Sequence, residues 1–175
     1  KMVTVFSDGL VAASVPSRGG LVNARTAAGT VQRTSIYGTV VASSSKIFGA
    51  YFAFDTDGYL RRIGDTMLTS AWRICDPATF ETRHDVSVVA SPFYVVVYGP
   101  SGAVYVIPNL AVKQYEPWLI KGTILAAKFI DLSTCMLVGP NHIYVVDFTH
   151  LCTYRYKTAP IYRAVIDEKN RIHCI

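Results

Sequence analysis

Short hydrophobic runs separated by turn residues recur along this chain. Two segments are nearly the same: residues 95–107 read VVVYGPSGAVYVI, and residues 135–146 read CMLVGPNHIYVV. In each segment two hydrophobic runs flank a short Gly-Pro turn, and the spacing of an amphipathic helix is nearly absent from the chain. The pattern predicts an all-β protein built from antiparallel hairpins.

Four hairpin turns are predicted where Gly or Asn separates two such runs. They lie at Asp8-Gly9, at Asp57-Gly58, at Ser101-Gly102 and near Asn141. Gly and Asn at these positions supply the positive φ that tight hairpins need. Successive turns are 49, 44 and about 40 residues apart, which leaves room for four strands in each repeat. A repeat of this length is typical of stacked or radial arrays.

The best-defined repeat is TILAAKFIDLSTCMLVGPNHIYVVDFTHLCTYRY, residues 123–156. Its four strand-like runs follow one another, and Asp147 follows Val145-Val146 where a Trp-Asp pair often stands in the WD40 family. The chain itself contains no Trp-Asp and no Gly-His dipeptide. It resembles the β-propellers, and among them the WD40-like kind. This resemblance implies about four blade-like units, each a four-stranded antiparallel sheet.

The predicted units cover residues 1–29, 30–85, 86–122 and 123–160, and residues 161–175 start a further blade. Taking residues 1–7 as the second strand of a blade makes the chain begin and end at the same phase of the repeat. Propellers close with about four to eight blades, and this strand count does not close a ring. We therefore expect an open arc that further polypeptide or another protein completes.

The longest stretch without charge, residues 86–112, is long enough to cross a bilayer as a helix. Pro92, Pro100 and Pro108 interrupt it, and in a lipid-exposed helix they would leave backbone groups unpaired. We interpret the stretch as buried strands with their turns, and we expect no membrane partner. No N-terminal segment has the order of a signal peptide.

The composition is that of a folded sheet protein, with 51% hydrophobic, 12% aromatic and 17% charged residues. The formal net charge of +5 favours acidic partners weakly. Cys75, Cys135, Cys152 and Cys174 form no Cys-x-x-Cys motif and have no histidine at metal-site spacing. We expect them to be buried, unpaired thiols of an intracellular protein, cytoplasmic or nuclear.

Three segments could suggest chemistry, but each has a simpler interpretation. Residues 55–58, Asp-Thr-Asp-Gly, resemble the start of a calcium loop, yet the twelfth position is Thr66 and the flanks are strands. Residues 43–46, SSSK, fit a polar turn better than a serine nucleophile with a lysine base. His173 and Cys174 are adjacent, so in a strand they point to opposite faces. We therefore predict no catalytic, cofactor or metal site, and no enzyme.

Aromatic residues concentrate in the second half of the chain. The predicted partner-binding residues are Tyr115, Trp118, Tyr154, Arg155 and Tyr156. They lie at strand ends or in an outer strand, and Trp, Tyr and Arg are enriched at interface hot spots. The alternation of tyrosines with basic residues would also allow base stacking on single-stranded nucleic acid.

The main functional prediction is a non-catalytic interaction scaffold: a propeller segment that holds protein subunits within a larger assembly. Two alternatives stay open. The chain could be an RNA-binding or ribonucleoprotein component that uses its basic-aromatic surface, or part of a propeller enzyme whose active site lies in other blades. Architecture alone does not decide between them, since one fold hosts many functions.

Overall fold

The computed structural model describes residues 2–5, 11–14, 20–25, 31–36, 40–44, 50–64, 68–83, 85–107 and 118–175. Within these ranges the chain forms strands, turns and loops, and no helix. The predicted all-β fold class is confirmed. The charge-free stretch contributes three strands, and in the part of the chain that is described no helix is long and apolar enough to cross a membrane.

The described ranges contain eighteen strands in five antiparallel sheets. The first sheet comprises β1 (Met2–Val5), β2 (Val11–Ser14), β3 (Gly20–Arg25) and β4 (Val31–Ile36). The second comprises β5 (Val40–Ser43), β6 (Ala50–Asp55), β7 (Tyr59–Gly64) and β8 (Leu68–Arg73). The third comprises β9 (Ser87–Ala90), β10 (Val95–Gly99), β11 (Gly102–Val106) and β12 (Trp118–Lys121). The fourth comprises β13 (Ala126–Phe129), β14 (Thr134–Val138), β15 (His142–Asp147) and β16 (Cys152–Lys157). The fifth comprises β17 (Ala164–Ile166) and β18 (Ile172–Cys174).

Each four-stranded sheet is a meander in which consecutive strands pair with one another. From the second sheet to the fifth, the first strands lie side by side: β5 contacts β9, β9 contacts β13, and β13 contacts β17. The fourth strand of the second, third and fourth sheets is therefore the outer strand. This is the arrangement of propeller blades around an axis.

Two of the predicted hairpin turns have the expected glycine geometry. Gly58, between β6 and β7, has a φ of 82°, and Gly102, at the start of β11, has a φ of 137°. A Cβ at Gly58 would clash with the carbonyl oxygen of Cys75, and a Cβ at Gly102 would clash with that of Ile120. Glycine is required at both positions because the backbone is left-handed and the neighbouring strand is close.

The other two predicted turns have different outcomes. Asn141 lies between β14 and β15 as predicted, where the Gly139 N–H donates to the His142 carbonyl at 2.8 Å. The expectation of a positive φ at Asn141 is wrong, because the non-glycine residues with positive φ in the described ranges are Asp85, Leu151 and Asn170. The Asp8-Gly9 turn lies outside the described residues.

The predicted phase of the repeat requires a correction. Met2–Val5 is the first strand of a complete sheet and pairs with β2 along one edge. The described chain therefore runs through four complete sheets and the first two strands of a fifth. The boundary placed between residues 29 and 30 separates β3 from β4, which pair with each other, so the first sheet extends to Ile36.

Hydrophobic side chains fill the spaces between neighbouring sheets. In β10, Val95 and Val97 pack toward the second sheet, whereas Val96 packs toward the fourth, and all three are fully buried. Both faces of this strand are covered, so neither can carry charge. This sandwiching explains why the longest charge-free stretch of the sequence lies here.

Candidate partner-binding site

The outer strand of the fourth sheet, β16, carries three of the five predicted partner-binding residues. Tyr154, Arg155 and Tyr156 are all exposed, and the two tyrosines keep 54% and 55% of their surface in solvent. Among the described strands β16 pairs with β15 alone, so its second edge is open. An open edge offers backbone groups as well as side chains to a partner.

Tyr154 and Tyr156, called here the tyrosine pair, share one face of the sheet. Tyr156 is paired with Ile143, and Ile143 packs against the fifth sheet through a core that includes Ala164 and Ile172. The fifth sheet has two strands in the described ranges and covers the inner part of this face. The outer part, where the tyrosine pair lies, is left exposed.

The opposite face of the same strand is basic. Lys157 is paired with His142, and Arg155 is paired with Tyr144. The Arg155 guanidinium lies 5.9 Å from the centre of the Tyr144 ring, and its Nη2 is 3.4 Å from His142 Nδ1. His142, Arg155 and Lys157 are called here the basic cluster.

The basic cluster has no internal counter-charge. No carboxylate oxygen lies within 4.0 Å of the Arg155 or Lys157 side chain among the residues the structure describes. The pKa of His142 is lowered by desolvation, and the neighbouring charges of Arg155 and Lys157 lower it further. The cluster therefore carries uncompensated positive potential, which an external anion would neutralise.

The remaining two predicted residues do not join this surface. Trp118 begins β12, is half-buried and packs on the core between the second and third sheets. Its ring centre lies 5.3 Å from that of Phe80. The ring faces the second sheet because Trp118 is paired with Val104, whose side chain belongs to the same core. Its contact with a partner stays a prediction. Tyr115 lies outside the described residues.

Strand alternation separates the aromatic and basic groups that the nucleic-acid alternative combines. The tyrosine pair lies on one face, whereas Arg155 and Lys157 lie on the other. Tyr144 is the tyrosine on the basic face of this strand pair, and it is half-buried with Arg155 above its ring. A single strand that needs phosphate contacts and base stacking in one groove does not match this arrangement.

The Asp-Thr-Asp-Gly segment forms the hairpin turn that the sequence predicts. Asp55 is buried, and its Oδ1 accepts hydrogen bonds from the backbone N–H groups of Asp57 at 2.9 Å and Tyr59 at 3.0 Å. Burial raises the pKa of Asp55. Within the described ranges, no three His, Cys, Asp or Glu side chains come together as ligands for a metal ion.

The four cysteines are unpaired, as predicted. Cys75 and Cys135 are buried, and burial raises the pKa of the Cys75 thiol to about 12. Cys152 is half-buried and Cys174 is exposed, so the expectation of buried thiols is wrong for Cys174. It is exposed because β18 is an edge strand. His173 points to the opposite face, where its Nε2 lies 2.9 Å from Asp167 Oδ2.

The basic cluster contains one residue, His142, that the sequence did not indicate. Its sequence signal is weak, since His142 and Arg155 are thirteen positions apart and come together only through the pairing of β15 with β16. The alternating Tyr-Arg-Tyr-Lys run of residues 154–157 is the part that sequence can reveal.

No protein-family model and no curated protein matches this sequence. Among solved structures, the chain is similar to a chain of the mitotic checkpoint complex, with a TM-score of 0.60 and 9% identity over 93% of this chain and 52% of that one. It is also similar to a chain in the crystal structure of BBS1N in complex with ARL6DN, with a TM-score of 0.56 and 14% identity over 99% of this chain and 60% of that one. The chain thus spans between half and two thirds of the length of these neighbours. The likeness is one of fold, and it agrees with the propeller-like, four-stranded sheets.

Proposed function

We propose that this chain is a non-catalytic interaction scaffold, a WD40-like propeller segment that holds protein partners within a larger assembly. The observation that carries the proposal is the exposed tyrosine pair on the outer strand of the fourth sheet. Tyrosine is enriched at interface hot spots because its large ring can be buried at low entropic cost.

The surroundings of the tyrosine pair support a binding surface. Leu151, next to β16, keeps 79% of its surface in solvent, and so does Tyr162, just before the fifth sheet. Exposed apolar residues that lie near one another favour association with another protein.

The solved neighbours add support of a coarser kind. One neighbour is a chain of the mitotic checkpoint complex and the other comes from a complex of BBS1N with ARL6DN, so both come from protein assemblies. We extend this to the present chain as part of the proposal. We also propose an intracellular location, cytoplasmic or nuclear, which the free thiols of Cys75 and Cys135 support.

The test compares two double variants of a tagged chain purified from cells under native conditions. Y154A/Y156A removes the tyrosine pair, and F93A/L132A removes two exposed hydrophobic side chains elsewhere. We expect the wild type and the control to elute in one large complex with the same partners, and Y154A/Y156A to elute as a monomer. Truncating a hot-spot tyrosine costs about 2 kcal/mol or more, which is about thirtyfold in affinity.

A wild-type chain that elutes alone from a gentle extract would contradict the scaffold proposal. A Y154A/Y156A variant that keeps every partner would move the binding surface away from the tyrosine pair. Thermal melting of both variants confirms that they remain folded, so that a lost partner reflects a lost contact.

A further inference from the structure

The open edge of β16 presents the backbone of its basic residues. The Thr158 N–H donates to the Asn141 carbonyl at 2.9 Å, so these two residues form a hydrogen-bonded pair. Such pairs alternate along antiparallel strands. Tyr154 and Tyr156 are therefore bonded to β15, while the N–H and C=O groups of Thr153, Arg155 and Lys157 point outward from the edge.

A peptide strand added to this edge would place its side chains alternately on the two faces of the sheet. Side chains on one face would meet Arg155 and Lys157, and those on the other face would meet Tyr154 and Tyr156. Cross-strand neighbours of opposite charge, and aromatic neighbours of β-branched residues, stabilise a sheet. The edge thus matches a segment in which acidic and apolar residues alternate.

We propose that β16 binds an extended segment of a protein partner in which acidic residues alternate with apolar ones, as an added strand. The proposal rests on the scaffold function and names the chemistry of its partner. The acidic side chains bind the basic cluster, and the apolar ones pack on the tyrosine pair. Main-chain hydrogen bonds to the outward groups supply affinity, and the two rows of side chains supply specificity.

The geometry of the basic cluster favours binding of carboxylates. Arg155 lies over the Tyr144 ring, and this cation–π contact restricts the guanidinium before any partner arrives. A guanidinium held in place forms charge-assisted hydrogen bonds to a carboxylate at a smaller entropic cost. The described acidic residues of this sheet are engaged elsewhere: Asp131 and Asp147 accept hydrogen bonds from backbone groups of their own turns.

Charge also argues against a second copy of the chain as the occupant. Pairing β16 with β16 of another copy would bring Arg155 and Lys157 of the two copies together, and like charges across strands are destabilising. Basic residues on an edge strand prevent such edge-to-edge pairing. A strand that carries negative charge does not meet this repulsion. Arg155 and Lys157 therefore favour an acidic partner strand over a second copy of the chain.

The test measures binding of short labelled peptides to the full chain by fluorescence polarisation. A peptide of alternating Glu and Val is the probe. A peptide of the same composition with its Glu residues in one block, an alternating Lys and Val peptide, and a single-stranded RNA of equal charge are the comparisons. We expect the alternating Glu and Val peptide to bind about tenfold more tightly than any of them.

Variants identify the residues responsible. R155E and K157E should each weaken binding by about tenfold or more, whereas R163E, which makes the same change of charge on an exposed residue just before the fifth sheet, should not. Tyr154→Ala should weaken binding without altering its salt dependence. Thermal melting of each variant controls for folding.

Hydrogen exchange separates strand addition from loose electrostatic attraction. On binding, the outward amides of Thr153, Arg155 and Lys157 should become protected, whereas those of Tyr154 and Tyr156, already bonded to β15, should change little. This alternation is a signature that a diffuse ionic contact cannot produce.

Binding should strengthen as the pH falls below the ordinary histidine pKa of about 6.5, because His142, whose pKa is lowered, becomes protonated there and adds a third positive charge. The charged groups facing His142 are Arg155 and Lys157 of β16, and the adjoining turn carries the uncharged Pro140 and Asn141. His142→Gln should abolish the pH dependence and leave binding at neutral pH.

Equal binding of the block peptide, or of the RNA, would overturn the proposal in favour of a general polyanion site. Failure of the alternating Glu and Val peptide to bind, or uniform amide protection, would also overturn it. The scaffold function could survive that result, because the loss of partners from Y154A/Y156A is measured independently. If the wild-type chain elutes without partners and the alternating Glu and Val peptide does not bind, both proposals fail.

Discussion

Asp55 and Asp167 close two different hairpins with the same three hydrogen bonds. In each, Oδ1 accepts from the backbone N–H groups two and four residues further along, at 2.9 and 3.0 Å for Asp55 and at 2.9 Å in both cases for Asp167. The backbone carbonyl accepts from the N–H three residues further along, at 3.1 Å in both turns. That third residue has a positive φ, 82° at Gly58 and 60° at Asn170.

The environments of these two aspartates differ. Asp55 is buried, and desolvation raises its pKa. Asp167 is half-buried, and its Oδ2 lies 2.9 Å from His173 Nε2 and 2.7 Å from Arg171 Nε. Hydrogen bonds from His173 and the Arg171 backbone hold the pKa of Asp167 well below its ordinary value. The same hydrogen-bonded turn geometry therefore occurs with a buried aspartate and with a partly exposed one.

Asp167 should contribute stability at neutral pH that is lost in acid. Its folded pKa lies below the unfolded value, so the contribution is present above about pH 4 and decreases as the pH falls below it. Asp167→Asn should lower the melting temperature at pH 7 and have a smaller effect near about pH 2.5. Glu168→Gln is the matched control. A D167N effect that is the same at both pH values would contradict the role of the charge.

Leu137 and Leu132 offer a matched test of burial within one sheet. Leu137 is fully buried between the third and fourth sheets, whereas Leu132 lies in a turn and is 58% exposed. Leu137→Ala should cost about 2–5 kcal/mol of unfolding free energy, and Leu132→Ala should change it by less than about 0.5 kcal/mol. Urea denaturation measures both. Equal effects would be incompatible with the packing of β14.

Alanine variants of Gly102 and Gly122 distinguish the cost of steric crowding from the cost of backbone strain. Both have a positive φ, 137° and 98°, but a Cβ at Gly102 meets the Ile120 carbonyl, whereas a Cβ at Gly122 meets nothing within 4 Å. Gly122→Ala should therefore cost about 1 kcal/mol through strain alone. Gly102→Ala should cost clearly more. If denaturant unfolding gave the two variants the same stability, this explanation would be wrong.

The four cysteines should differ in reactivity toward a water-soluble alkylating reagent. Exposed Cys174 should react first and half-buried Cys152 more slowly, while Cys75 and Cys135 should react only after unfolding. Burial raises the pKa of Cys75 to about 12, so almost no thiolate is present near neutral pH. Mass spectrometry of the alkylated native protein gives the order in which the cysteines react. A Cys135–Cys152 disulfide in the non-reduced protein would be inconsistent with β15 lying between β14 and β16.

The sequence by itself determined the elements and their turns. Hydrophobic runs of strand length predict the strands, and glycines at Gly58 and Gly102 predict two of the hairpins, because these signals depend on a few neighbouring residues. The charge-free residues 86–112 even predicted burial, since a strand covered on both faces, as Val95 and Val96 are, cannot carry charge. The alternation within residues 154–157 shows that tyrosines and basic residues interleave, whereas the pairing of β15 with β16 shows that they lie on opposite faces.

The pairing and packing of distant segments settle which strand begins a sheet and which side chains remain exposed. Met2–Val5 has the same local pattern whether it is the first or the second strand, and its place depends on pairing with β2. Trp118 and Tyr154 are both aromatic residues of outer strands, yet Trp118 packs against Phe80, whereas Tyr154 keeps 54% of its surface in solvent. Exposure depends on what packs against a strand from distant parts of the chain, and the local sequence of that strand does not contain this information.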